Sequence, residues 1–428
     1  MARPGGVRMV YVLLDGVGDL PSPDLGGKTP LEAARTPAMD SMARGGALGD
    51  AITVGRGIAP ESDIAVFNML GYTFGPEYPG RGVVEAIGAG VDFADGDLAL
   101  RGNFATLGEG LAIADRRAGR NVRREDAEGI AREIEAGARL SDPRARATIV
   151  PTVGHRVSVR IRAGGEALLP DITNTDPAYE RVGGMGVARE AGGQMRVAES
   201  APLTDEAGAR LAARLVNDLD RESRRIMAAS GINARRRERG EPELGCILLR
   251  DAGCARPSVR PIGDVHSLSF ACIVEMPVEV GIAQVLGMRA YEGGAPTDYA
   301  KKASVAADAL SEHNVVYVHL KGPDEFGHDG DARGKARSIE EIDSGFFAPL
   351  LERVGGSATV AVSADHSTPC VTRGHSDDPV PVMVSGPAVR PDSTSRMTEA
   401  EARRGSIGRL AGHEVLRAAL SMAGSKTA

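Results

Sequence analysis

The residues of this chain most able to do chemistry are carboxylates and imidazoles that stand at the ends of apolar runs. Ala358-Thr359-Val360-Ala361-Val362 reads as a buried parallel strand, and it leads through Ser363-Ala364 to an adjacent pair, Asp365-His366. Open α/β sheets gather ligands at the carboxyl ends of their strands, which makes the pair a candidate metal site. Taken singly, Asp365 reads rather as a turn cap and His366 as a surface residue. The run Arg8 to Leu14 ends likewise in Asp15, followed by Gly16-Val17-Gly18, and Asn314 to Leu320 leads into Lys321-Gly322-Pro323-Asp324. His328 is four residues beyond Asp324, so a helical turn there brings both to one ion. With His375 nearby, the set converges on one sheet edge. Carboxylates with imidazoles suit zinc or manganese better than calcium or an iron-sulfur centre.

Two such ions side by side would activate an oxygen nucleophile and neutralise a phosphoryl group in transfer. Ser62 is the well-placed hydroxyl. It follows Pro60-Glu61 at the head of an apolar helical pattern, Ile64 to Leu70. One reading makes it a helix cap. The other uses the same position, because a helix N-terminus steadies a phosphoryl group, and metal coordination makes a poor nucleophile effective.

Anion-binding candidates are arginines. Arg81 is flanked by Gly80 and Gly82, Arg116, Arg117 and Arg120 are clustered, and His155 precedes Arg156. Guanidinium groups hold phosphate and carboxylate through paired hydrogen bonds. The run Arg235 to Arg239 reads as solvated surface charge over Arg236 to Arg239.

The supporting elements alternate strand and helix at both ends of the chain. Strands are expected at 8–14, 47–54, 270–274, 314–320 and 358–362, and helices at 279–288 and 298–310. Between residues 76 and 264 the texture changes to short strands, 98–106 and 156–162, with charged helices at 125–139 and 204–227. That is an inserted α+β domain, with a hinge near Gly75-Pro76 and Gly263-Asp264.

At 428 residues the chain exceeds one ordinary core. A net charge of -7 without a long basic run argues against nucleic acid or an anionic membrane as partner. The absence of a signal-peptide core or a run of about 18 apolar residues leads to a cytoplasmic expectation. Cys246, Cys254, Cys272 and Cys370 lack C-x-x-C spacing and read as reduced thiols.

In their order, Asp15, Ser62, Asp324-x-x-x-His328, Asp365-His366 and His375 resemble the metal and nucleophile set of the alkaline phosphatase superfamily. The phrases Leu14-Asp15-Gly16-Val17-Gly18-Asp19, Gly80-Arg81-Gly82, Arg101-Gly102-Asn103-Phe104-Ala105-Thr106, Asp115-Arg116-Arg117-Ala118-Gly119-Arg120 and His319-Leu320-Lys321-Gly322-Pro323-Asp324 resemble the archaeal-type, cofactor-independent phosphoglycerate mutases. The resemblance runs from about residue 8 to about residue 422. It implies an alkaline-phosphatase-like α/β fold: a mostly parallel sheet core flanked by helices (1–75 and 265–428) with an inserted α+β cap (76–264). It also implies two divalent ions, manganese or zinc. Asp324, His328 and His375 would hold one, and Asp15, Ser62, Asp365 and His366 the other.

Ser62 would carry the phosphate between the hydroxyls of 3- and 2-phosphoglycerate, without bisphosphoglycerate. Arg81, Asn103, Asp115, Arg116, Arg117, Arg120, His155 and Lys321 would bind this small phosphorylated carboxylic acid. The chain departs from the family where Asp176-Pro177-Ala178 replaces a D-P-H phrase, Ser230-Gly231-Ile232-Asn233 an H-P-V-N phrase and Glu243-Leu244-Gly245 a P-A-N phrase. Ser269 and Val280 stand where lysines are expected. These changes lie outside the metal set and bear on substrate rather than on reaction type. A mutase or hydrolase for another small phosphorylated or phosphonate acid is therefore the alternative, and a non-catalytic metal-binding protein a third reading.

Overall fold

The computed structural model describes residues 6–75, 78, 80–182, 185–188 and 194–425, and only the backbone over 181–182 and 185–188. The chain forms two compact units, one of Met1–Phe74, Val259–Glu275 and Ala283–Ala428, the other of Gly75–Ser258 and Met276–Ile282. Along the chain, the first unit begins with β1 (Met9–Leu14), β2 (Gly46–Ile52) and α1 (Ser62–Met69). The second unit follows with α2 (Arg81–Gly88), β3 (Leu98–Leu107), β4 (Ile113–Asp115) and α3 (Arg124–Gly137). It continues through β5 (Arg146–Pro151), β6 (Arg156–Arg162), β7 (Tyr179–Val182) and β8 (Met185–Ala188) to α4 (Ala207–Ala229), α5 (Gly231–Glu238) and β9 (Cys246–Gly253). The chain returns to the first unit with β10 (Phe270–Ile273), β11 (Arg289–Tyr291), β12 (Val315–Leu320), α6 (Pro323–Asp329) and α7 (Ala332–Ile342). β13 (Thr359–Ser363), β14 (Val380–Ser385) and β15 (Gly408–Ala411) complete it.

The first unit is built on an eight-stranded sheet ordered β11-β10-β12-β1-β13-β14-β2-β15. From β11 to β13 every neighbouring pair is parallel, whereas β14 runs antiparallel to both β13 and β2. β1, β12 and β13 are buried along their whole length, which is why they read as continuous apolar runs rather than as alternating ones. Their ends fall within two residues of the apolar stretches. Of the expected hinge, Pro76 lies outside the described residues, and Gly263-Asp264 sits in a short helix, Ile262–His266.

The second unit centres on β3, which pairs antiparallel with β6, β9 and β4. Phe104, Val159 and Ile247 of the sheet pack with Ile130 of α3 and Leu215 of α4 in one hydrophobic core. One expectation fails here. Arg236 is not solvated: it is fully buried, 3.1 Å from Asp126 and 3.3 Å from Glu241, and it donates to the Pro242 carbonyl at 2.8 Å. Helical periodicity turns Arg236 inward to these acids while Arg237 stays about half exposed. Among the described residues, no helix is long and apolar enough to cross a membrane.

Candidate active site

Leu13 of β1 is in register with His319 on one neighbouring strand and Ser363 on the other. Side chains alternate along a strand, so positions two residues on share the same face, and these are Asp15, Lys321 and Asp365. Donor atoms of Asp15, His319 and Asp365 all lie within 4.8 Å of one another. Asp365 is aimed by the backbone: its Oδ1 accepts from the amides of Gly16 (3.1 Å) and His366 (3.0 Å), which turns Oδ2 toward His319 Nε2 at 3.6 Å. Lys321 Nζ is 2.9 Å from Asp15 Oδ2.

A second group forms at α6. Its single turn brings His328 Nε2 to 3.5 Å from Asp324 Oδ2, and His375 Nε2 lies 3.5 Å from Asp324 Oδ1. Asp324, His366 and His375 bring donor atoms within 4.8 Å of one another. The rings of His366 and His375 stack at 3.8 Å. His375 Nδ1 donates to the Pro60 carbonyl at 2.7 Å and His328 Nδ1 to the Arg373 carbonyl at 3.2 Å, so each turns Nε2 toward Asp324. His366 stands between the groups, its Nε2 3.3 Å from Asp365 Oδ2 and 3.6 Å from Asp15 Oδ1. Ser62 Oγ is 3.2 Å from the same nitrogen. Ser62 is the first residue of α1, Glu61 occupies the cap position, and no side chain caps that helix.

The electrostatics fit a cation. Asp15 Oδ1 and Asp365 Oδ2 are buried and accept no hydrogen bond among the described residues, a costly state for carboxylate oxygens. Burial, with the Asp15 charge second, pushes the Asp365 carboxyl up to about 7. Burial, then the neighbouring His375, holds His366 well below the usual imidazole range, so it is neutral, as a metal ligand must be. For Asp324, burial works against the charge but is outweighed by the adjacent imidazoles, His375 foremost, which hold it well below the usual range. Oxygen and imidazole donors in clusters of three match the ligand chemistry of divalent transition metals.

The second unit carries the opposite chemistry. Glu85 pairs with Arg81 (3.0 Å) and Arg101 (2.9 Å), and Arg101 also meets Asp251 at 3.0 Å. Asp176, fully buried, takes Arg116 at 2.6 Å and Arg250 at 3.0 Å, and both guanidiniums lie over the Tyr179 ring. Burial pushes Arg156 down to about 10, with Arg101 the next cause. Burial, then Arg156 and Arg117, pushes His155 down to about 4. Arg117 is lowered by burial and by Arg120. Such crowding of cations, only partly matched by acids, favours an anion.

Comparison with known proteins gives the lineage. A family model described as 2,3-bisphosphoglycerate-independent phosphoglycerate mutase matches residues 43–233. A relative of that name from Aeropyrum pernix is 39% identical over 95% of this chain and 97% of its own length. Another from Methanopyrus kandleri is 37% identical over 96% and 94%. The chain belongs to the 2,3-bisphosphoglycerate-independent phosphoglycerate mutase family. It is an enzyme of the mutase type. Among solved structures, a protein from Pyrococcus horikoshii superposes with a TM-score of 0.79 at 28% identity, each chain covered to 98%. The cofactor-independent phosphoglycerate mutase of Thermoplasma acidophilum gives 0.64 at 28% identity, covering 98% of this chain and 100% of that one.

Set against the expected site, Asp15, Ser62, Asp324, His328, Asp365, His366 and His375 all meet in the first unit. Lys321 stands with them, beside Asp15. Arg81, Asn103, Asp115, Arg116, Arg117, Arg120 and His155 lie in the second unit. Asn103 is in register with Arg156, and Asp115 accepts from the amides of Arg117 (2.8 Å) and Gly119 (2.7 Å), shaping the arginine loop.

Sequence reading missed His319. Its signal was available: an ionisable residue in an otherwise apolar buried strand, two positions before Lys321. It also missed Arg250 and Asp176 as ion-pair partners, because they come from separate segments. At the family departures, the Ala178 amide donates to Asp176 at 3.2 Å, Ser230 caps α5, and Ser269 hydrogen-bonds Asn314.

Proposed function

We propose that the enzyme interconverts 3-phosphoglycerate and 2-phosphoglycerate without bisphosphoglycerate, through a phosphoserine at Ser62. The observation that carries this reading is Ser62 Oγ at 3.2 Å from His366 Nε2, between two carboxylate-imidazole groups. Asp324, His328 and His375 would hold one ion, and Asp15, Ser62, Asp365 and His366, with His319 beside them, would hold the other. Manganese or zinc suits this ligand set, and when bound such ions lower the pKa of a hydroxyl and neutralise a phosphoryl group's charge.

Ser62 Oγ, at the head of α1, attacks phosphorus as the bond to the glycerate oxygen breaks, and the amides of the helix start face the phosphoryl oxygens. Lys321 adds positive charge beside Asp15. The glycerate then turns so that its neighbouring hydroxyl takes the phosphate back from Ser62; the arginines of the second unit are a cationic group of the kind that recognises the carboxylate and phosphate of such an acid.

A second reading rests on Ala178, which puts a methyl group beside Asp176 where the family phrase has an imidazole. It keeps Ser62 and the ions but changes the substrate to another small phosphorylated or phosphonate acid, or lets water take the phosphate. Phosphorus NMR of the manganese-loaded enzyme with 3-phosphoglycerate decides. Formation of 2-phosphoglycerate without added bisphosphoglycerate is the expected result, and inorganic phosphate alone points to the second reading. No conversion of 3-phosphoglycerate or of a panel of similar acids contradicts both.

A further inference from the structure

We propose that Thr368 is a positioning residue that couples the two ligand groups by fixing which nitrogen of His366 carries the proton. The proposal rests on the two-metal reading above. Thr368 is fully buried two residues after His366. Its hydroxyl donates to Asp324 Oδ1 at 2.6 Å, and the same oxygen is 3.1 Å from His366 Nδ1. A hydroxyl has one hydrogen to give. Because that hydrogen goes to a carboxylate, the contact with His366 runs the other way, with Nδ1–H donating to Thr368 Oγ1. The lone pair is then on Nε2, the nitrogen that faces Ser62 Oγ at 3.2 Å and Asp365 Oδ2 at 3.3 Å. One hydroxyl thereby orients Asp324 in one group and the imidazole that bridges to the other. His328 and His375 have their tautomers set by the backbone carbonyls of Arg373 and Pro60, which no side-chain substitution removes. His366 depends on a side chain.

The fold leaves this hydroxyl little freedom. A Cβ on Gly16, whose φ is +58°, would come within 2.6 Å of Thr368 Oγ1, and one on Gly327 within 2.4 Å of the Thr368 carbonyl. That carbonyl accepts from Lys335 Nζ at 2.8 Å. Lys335 is fully buried and also donates to the Gly18 carbonyl (3.1 Å) and the Asp19 carboxylate (2.8 Å). Its ammonium therefore ties the loop after β1, with Asp15, to the loop after β13, with Asp365, His366 and Thr368.

Thr368→Val and Thr368→Ser separate the hydroxyl from the volume. In the full-length protein, nitrogen NMR of labelled histidines reads the His366 tautomer without metal, and equilibrium dialysis reads manganese binding. The wild type should hold the proton on Nδ1. Thr368→Val should lose that preference and bind manganese about 10- to 100-fold more weakly, as outer-shell substitutions do. Thr368→Ser should restore both.

Equal tautomer and equal affinity in Thr368→Val overturn the proposal while leaving the two-metal reading intact. Failure of Thr368→Ser to restore either readout overturns it as well. If Thr368→Val does not fold, the wild-type spectrum decides, since a proton on Nε2 overturns the proposal. Wild type that takes up no manganese overturns the two-metal reading and the proposal with it.

Discussion

The two units each gather charged side chains, but they do so by opposite means. In the first, Asp15, His319 and Asp365 come from the ends of three adjacent parallel strands, and Asp365, His328 and His375 are aimed by backbone amides and carbonyls. In the second, guanidiniums from β3, β9, the loop after β4 and α2 are held by one another's acids, Glu85, Asp176 and Asp251. Positions set by backbone are rigid and suit chemistry that depends on tenths of an ångström. Side-chain ion pairs hold charge in place but can be exchanged for a ligand's charge. If, as proposed, the first unit carries the transfer and the second recognises the anion, substitutions should divide between kcat and KM.

The largest expected effect is Ser62→Ala, which should cut kcat by on the order of 10⁴-fold or more, as loss of a nucleophile does. Its circular dichroism should match wild type; a kcat within tenfold of wild type would remove Ser62 from the chemistry. Chelation followed by gel filtration comes next. Activity should fall at least about a hundredfold and return with manganese or zinc, and full activity in the stripped protein would break the assignment of the first unit. His319→Ala sharpens the same side. Lying 3.6 Å from Asp365 and 4.0 Å from Asp15, it should weaken manganese binding roughly 10- to 100-fold, measured by dialysis.

On the other side, Arg117→Ala should raise KM by about tenfold to a hundredfold, the worth of a charge-assisted hydrogen bond, with kcat nearly unchanged. Its Tm should not fall, because burial and the neighbouring Arg120 already disfavour the Arg117 charge. A lower Tm with unaltered KM would make the arginines structural and erase the contrast. Arg237→Ala is the smallest case. Its pair with Glu243 at 2.8 Å is exposed, so stability should change by no more than about 0.5 kcal/mol and kinetics not at all.

How far the sequence could be read follows the same division. The strand-end carboxylates were legible because each follows a local apolar run, and the Asp324 to His328 spacing is set by one helical turn. Ser62 was legible as a position but not as a direction: only the fold shows its hydroxyl turned to His366 and not to the helix amides. His319 was hidden inside the run that announces β12. Arg236 misled because a string of arginines looks solvated, whereas its countercharges, Asp126 and Glu241, flank it from 110 residues away and from the next turn. The pairing of Arg250 with Asp176 joins positions 74 apart, which no local pattern reveals. Lys335 was illegible for the same reason, since its partners are backbone carbonyls and one distant carboxylate.

The central claim is that phosphate passes through Ser62. Rapid acid quench of the manganese-loaded enzyme with 3-phosphoglycerate, followed by peptide mass spectrometry, tests it directly. A phosphoryl group is expected on the peptide at Ser62, formed within one turnover, and absent from Ser62→Ala. Turnover at the full rate with Ser62 unmodified, or with the phosphate on another residue, would contradict it.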